Sequence, residues 1–228
     1  MNMSFACPVP AQVMAANYAN AFAKTFEGPL TCAGHSKGGN LAVFAAAFCK
    51  PETQERVKAV YNFDGPGFDD MVLVTPMYQK IAGLIHTYIP QSSLVGVLLG
   101  HEESSQVIHS RENNLLEQHN MYTWEVLRDG LVPEEGTTGI SRYFDRTMRE
   151  WLGNMEKDQR ERFVDACYSL VVALEIRTTT DFKKHWLGKS VGMLQQLGKL
   201  EPETKKDIQE GLALLARSAK DSAKNKGL

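Results

Sequence analysis

Two hydrophobic periods divide this chain. Up to about residue 132, short β-rich runs alternate with amphipathic helical stretches; beyond Pro133 and Gly136 the apolar stripes all recur at helical spacing. Residues 11–26 read as a helix with Met14, Tyr18, Ala21, Phe22 and Phe26 on one face, stopped by Gly28-Pro29. A short apolar run from Leu30 leads through glycines into an alanine-rich helix that Pro51 ends. Residues 57–63 (V-K-A-V-Y-N-F) predict a parallel strand, 69–82 a helical stretch broken near Pro76, 84–89 a strand, and 106–110 another. Residues 113–122 are loop and carry His119. Helices are then expected over 140–155, 157–174, 182–197 and from Pro202 to about 222. The expected architecture is α/β: a parallel sheet over residues 1–132, then a helical extension or cap over 133–228. Packing stripes alone leave the choice between a lid and a plain extension open.

Composition narrows the class. A chain of 228 residues holds one substantial domain, or one with an appendage. Its 43% hydrophobic and 23% charged residues are those of a soluble globular protein. A formal net charge of −2 offers no field for nucleic acid or an anionic membrane. Cys7, Cys32, Cys49 and Cys167 show no C-x-x-C spacing, and Cys32 and Cys49 have apolar neighbours, so buried free thiols and a reducing cytoplasm are expected. No apolar run approaches the ~18 residues of a transmembrane helix. The first residues lack the charged and apolar regions of a secretory leader. No His/Cys/Asp/Glu cluster has ligand spacing, and neither metal nor cofactor is expected.

The chemistry concentrates at Gly34-His35-Ser36-Lys37-Gly38, which fits G-x-S-x-G, the nucleophile elbow of serine hydrolases. The motif needs its serine on a tight strand-to-helix turn, so that Oγ stands clear of the sheet. Gly34 and Gly38 are expected where a Cβ would collide with a neighbouring element, and Gly39 relieves the same crowding. The following helix points its N-terminus at the serine, and the Lys37 amide is the expected oxyanion donor. A Walker phosphate loop fits less well, because it requires Gly-Lys-Ser/Thr and the order here is Ser-Lys-Gly.

The wider string G-H-S-K-G-G-N-L-A-V resembles the lipase-like branch of the α/β-hydrolases, related to the class 3 lipases, and a bacterial family within it that carries the same elbow. Four further strings support the likeness: Tyr61 to Phe68 (Y-N-F-D-G-P-G-F), Ile89 to Ser93 (I-P-Q-S-S), Leu98 to Glu103 (L-L-G-H-E-E), and Gln118-His119-Asn120 with Trp124-Glu125-Val126. The resemblance covers residues 5–130 closely and the helical remainder loosely. It implies a chain order of Ser, acid, His. It places the histidine at His119, with His101 in reserve. For the acid, Asp64 follows the strand after the elbow helix, although Asp-Gly also favours a simple turn. The class 3 lipases carry their aspartate one strand later; that position here falls at Gln91-Ser92-Ser93, which holds no carboxylate.

In α/β-hydrolases several strands precede the elbow, whereas one helix precedes it here. The chain therefore reads as the later portion of such a core, and an open sheet edge is expected to invite a homodimer. The function expected from the resemblance is a serine ester hydrolase acting on an acyl ester or lipid through Ser36, His119 and Asp64. The alternative is a truncated or non-catalytic relative that binds partners.

Overall fold

The computed structural model describes residues 6–173 and 202–224. Helix α1 (Pro10–Thr25) has Pro10 in its first turn and is followed by strand β1 (Leu30–His35). Helices α2 (Lys37–Phe48) and α3 (Pro51–Gln54) lead to β2 (Val57–Phe63). The helical stretch expected near Pro76 is two pieces, α4 (Asp70–Leu73) and α5 (Pro76–Ala82). Asp69 caps the first through its carboxylate, which accepts from Met71 N at 3.0 Å; Thr75 caps the second. Strands β3 (Ile85–Pro90) and β4 (Ser105–Ile108) complete a four-stranded parallel sheet of order β1-β2-β3-β4. A small antiparallel hairpin follows, β5 (Val126–Leu127) with β6 (Gly130–Leu131). The chain is thus mixed α/β, and the C-terminal helix expected from Pro202 is present.

The strands step one way across the sheet, and α2 packs on both β1 and β2. Val57 and Val60 of β2 are both buried in the core although they stand three apart, because the register with β1 shifts between Val57 and Ala59 and breaks the alternation there. There they meet Val43, Ala46 and Ala47 of α2 and Tyr78 and Ile81 of α5. Ala46 and Ala47 of α2 are fully buried, so the helix approaches the sheet closely. The other face carries the half-buried aromatics Tyr61, Phe63 and Tyr88; Phe63 stacks on Tyr88 at 5.5 Å between ring centroids and tilts onto Trp124. The four cysteines are free; Cys49 is buried, Cys32 and Cys167 are half-buried and Cys7 is exposed, so burial does not extend to all of them.

Two buried polar networks tie the loops to this frame. Gln12 Nε2 donates to Asn40 Oδ1 at 2.8 Å, and Asn40 Nδ2 donates to the Gly67 carbonyl at 2.8 Å. Gln12 and Asn40 have no solvent exposure, so each hydrogen bond replaces one lost to water. In the second network Glu103 accepts from Tyr78 Oη at 3.0 Å, His101 Nδ1 at 3.0 Å and Thr87 Oγ1.

Contacts group the chain into one unit spanning Ala6–Arg149 and another that holds the described residues from Glu150 onward. Helix α6 (Gly139–Gly153) precedes α7 (Lys157–Ala173) and α8 (Pro202–Lys224). In the second unit α7 packs on α8, and Trp151 Nε1 donates to the Gly211 carbonyl at 2.9 Å. Gly211 is required there, because a Cβ would overlap the Phe163 ring, which itself meets Trp151 edge-on. The helix expected over 182–197 lies outside the described residues.

Burial alone would push the Glu103 carboxyl up; the His101 hydrogen bond and charge, with Thr87, outweigh it and hold the carboxyl below the usual range. A folded-state value below the unfolded one contributes stability above the unfolded value, and that contribution is lost as pH falls through the folded value. Glu103→Ala should destabilise the protein by about 3 kcal/mol near neutrality, because His101 and Tyr78 lose their buried acceptor. The difference from wild type should shrink as pH falls from about 6 to about 3 in urea titrations. A difference constant with pH would show that the Glu103 charge contributes nothing.

Candidate active site

Ser36 stands between the end of β1 and the start of α2 with φ 56° and ψ −129°. A non-glycine residue pays about 1–3 kcal/mol to hold such a conformation. Two anchors fix it: Ser36 N donates to the Phe63 carbonyl of β2 at 2.9 Å, and the Ser36 carbonyl accepts from Gly39 N at 2.9 Å. The glycines have unequal roles. A Cβ on Gly34 would overlap the Gly38 carbonyl, and one on Gly39 would overlap Asn62 Oδ1. A Cβ on Gly38 would meet nothing within 4 Å. The expectation that Gly38 itself needs to lack a side chain is therefore corrected: its backbone is the obstacle that Gly34 avoids. Lys37 opens α2, in the first turn, where helix amides have no partner within the helix.

Asp64 follows β2 directly, at the same end of the sheet. It also has a left-handed backbone, φ 49°, which aspartate tolerates better than most residues. Its side chain has no solvent exposure. Oδ2 accepts from His119 Nδ1 at 2.6 Å, and Oδ1 accepts from Ser93 Oγ at 2.5 Å and from Gly96 N at 3.0 Å. Three donors converge on one buried carboxylate, which is how an ionised acid is kept in a dry site. Because Nδ1 carries the proton given to Asp64, Nε2 of neutral His119 is the nitrogen left with a lone pair.

His119 closes a short 3₁₀ turn, Glu117–His119, whose position is set by its neighbour. Gln118 is buried; its Oε1 accepts from Ser92 N at 2.8 Å, its Nε2 donates to the Glu112 carbonyl, and its own carbonyl accepts from Trp124 Nε1 at 2.8 Å. His35, inside the elbow, points toward His119. The two rings lie 4.6 Å apart and His35 Nε2 donates to the His119 carbonyl at 2.7 Å. On the other side, a Cβ at Gly65 would come within 2.6 Å of the Ser36 carbonyl, so the turn after Asp64 presses on the elbow.

The sheet thus brings Asp64 and His119 into direct contact, and Ser36 directly follows His35, whose ring lies against His119. No hydrogen bond joins Ser36 Oγ to His119 in the described structure; such bonds are often long before substrate binds. His101 is not part of this cluster: it pairs with Glu103. His109 pairs with Glu134 and Glu125, and His86 stacks on Tyr61. Ser93, Gly96 and Gln118 were not singled out as site residues from the sequence. Their one signal is position, since Ser93 occupies the loop after β3, where the family resemblance would put a carboxylate. Among the described residues no group of three or more His, Cys, Asp or Glu is arranged to hold a metal ion. No described helix is long and apolar enough to cross a membrane.

Removing the Ser93 hydroxyl should cost about 2 kcal/mol, the worth of a hydrogen bond to a buried charge, measurable by urea unfolding of Ser93→Ala. Gly96→Ala should cost at least as much, since its Cβ would overlap both Asp64 Oδ1 and the Ile89 side chain. Unchanged stability in both would mean the Asp64 carboxylate does not depend on this loop.

The model of a family described as Mbeg1-like matches residues 1–169. No curated protein and no solved structure matches the chain.

Proposed function

We propose that this chain, which belongs to the Mbeg1-like family, is a serine ester hydrolase of the lipase-like α/β-hydrolase type, acting on acyl esters through Ser36, His119 and Asp64. The observation that carries this reading is the 2.6 Å contact between His119 Nδ1 and the wholly buried Asp64, beside a serine held at positive φ on a strand-to-helix turn.

Each residue then has one task. Ser36 Oγ attacks the acyl carbonyl while His119 Nε2 takes its proton. Asp64 fixes the tautomer that leaves Nε2 basic, and its charge stabilises the imidazolium formed during attack. The Lys37 amide, at the N-terminus of α2, donates to the developing oxyanion. His119 returns the proton to the departing alkoxide, and a water activated by Nε2 then releases the acid from Ser36. The positive φ of Ser36 supports this reading, because backbone strain of that kind collects at functional positions.

A fluorophosphonate probe tests the proposal. Wild type should form a covalent adduct at Ser36, Ser36→Ala should form none, and Asp64→Asn should label and turn over p-nitrophenyl esters roughly 10⁴-fold more slowly. A folded wild type that takes no label would support the alternative, a non-catalytic relative that binds partners.

A further inference from the structure

Asp64 holds the His119 ring at Nδ1. Gln118, the residue before it, reaches Ser92 N, the Glu112 carbonyl and Trp124 Nε1. These bonds tie the base to the end of β2, the loop after β3 and the segments at 112 and 124. None of them reaches β1 or α2, the elements that flank Ser36.

His35 makes that connection. It is the last residue of β1, pairs with Phe63 of β2 and directly precedes Ser36. Its Nε2 lies 2.7 Å from the His119 carbonyl oxygen, and the two rings lie 4.6 Å apart, tilted by 34°. A carbonyl only accepts, so His35 Nε2 carries a hydrogen. The imidazolium would donate from the same atom, so the bond outlasts ionisation of His35. Adjacent Cα atoms stand about 3.8 Å apart. The bond is therefore a short strap from the nucleophile's own stretch of backbone to the backbone of the base.

We propose, resting on the hydrolase reading, that His35 is a positioning residue: its Nε2–H sets how far His119 Nε2 stands from Ser36 Oγ. Asp64 and His35 then divide the work. Asp64 fixes the tautomer and the facing of the ring, and His35 fixes the place of the His119 main chain relative to the elbow. The turn that carries His119 is three residues long, too short to hold that spacing by itself. Spacing matters because proton transfer needs the two atoms within about 2.6–3.2 Å, and a displacement of about 1 Å can cost about 100-fold in rate. The hydrogen bond, rather than the ring contact, carries the role. Two tilted rings can slide past each other, whereas a 2.7 Å hydrogen bond holds one atom against another.

Two substitutions separate these contacts. His35→Gln keeps a side-chain N–H donor and loses the ring; His35→Phe keeps a ring and loses the donor. His35 is exposed, so both variants should fold. On a p-nitrophenyl ester, His35→Gln should keep kcat within about threefold of wild type, and His35→Phe should lose roughly 10- to 100-fold in kcat at unchanged KM. Hydrogen exchange reads the strap without any chemistry. The Gln118 amide and the Trp124 indole N–H, which adjoin the His119 turn, should exchange about tenfold faster in His35→Phe than in wild type or His35→Gln. Loss of kcat in His35→Gln rather than His35→Phe, or in neither, would overturn the proposal. A wild type with no ester turnover but with this exchange pattern would overturn the hydrolase reading and keep the strap. Equal exchange in all three proteins would overturn the strap.

Discussion

A carboxylate with no solvent exposure has to be surrounded by donors or give up its charge, and the arrangement around Asp64 follows from that necessity. Two segments distant in sequence supply those donors. The loop after β3 contributes Ser93 Oγ and Gly96 N, the 3₁₀ turn contributes His119 Nδ1, and the backbone of Asp64 itself is tied to β3 through Tyr88 O. Holding Asp64 therefore also fixes the imidazole, and the imidazole backbone in turn receives His35 from the elbow. The site is a by-product of satisfying one buried anion.

The supports behind it obey the same rule. Gln118 is buried and reaches Ser92 and Glu112, so the His119 turn is pinned from its interior side. Asn40 grips the Gly67 carbonyl just beyond Asp64, and the 98–100 segment pairs with Gly67 and Phe68 in a two-way bridge. A loop held from both ends retains its geometry without a large apolar content of its own. That explains how the Asp64-Gly65-Pro66-Gly67 turn keeps the positive φ at Asp64.

How much of this was legible in the sequence differs by element. The helices of the first half and the strands β1 to β3 follow the hydrophobic period to within a residue or two, because each buries a regular stripe. The elbow was legible because its glycines are needed where backbones meet, although the structure assigns the clash to Gly34 and Gly39 rather than Gly38. Asp64 was readable either as an orienting acid or as a turn residue, and it occupies a turn while also holding His119. Ser93 and Gln118 lie within strings that carry the family likeness, but their roles arise from contacts 26 to 29 residues apart, which no hydrophobic period encodes.

The central claim is that His119 donates a hydrogen bond from Nδ1 to the buried Asp64 carboxylate, which leaves the lone pair on Nε2. Proton NMR of the folded chain tests this directly. The account predicts a far-downfield, slowly exchanging Nδ1–H resonance that persists in Ser36→Ala and disappears in Asp64→Asn. A spectrum without that resonance, or nitrogen shifts showing His119 protonated at Nε2 instead, would contradict it.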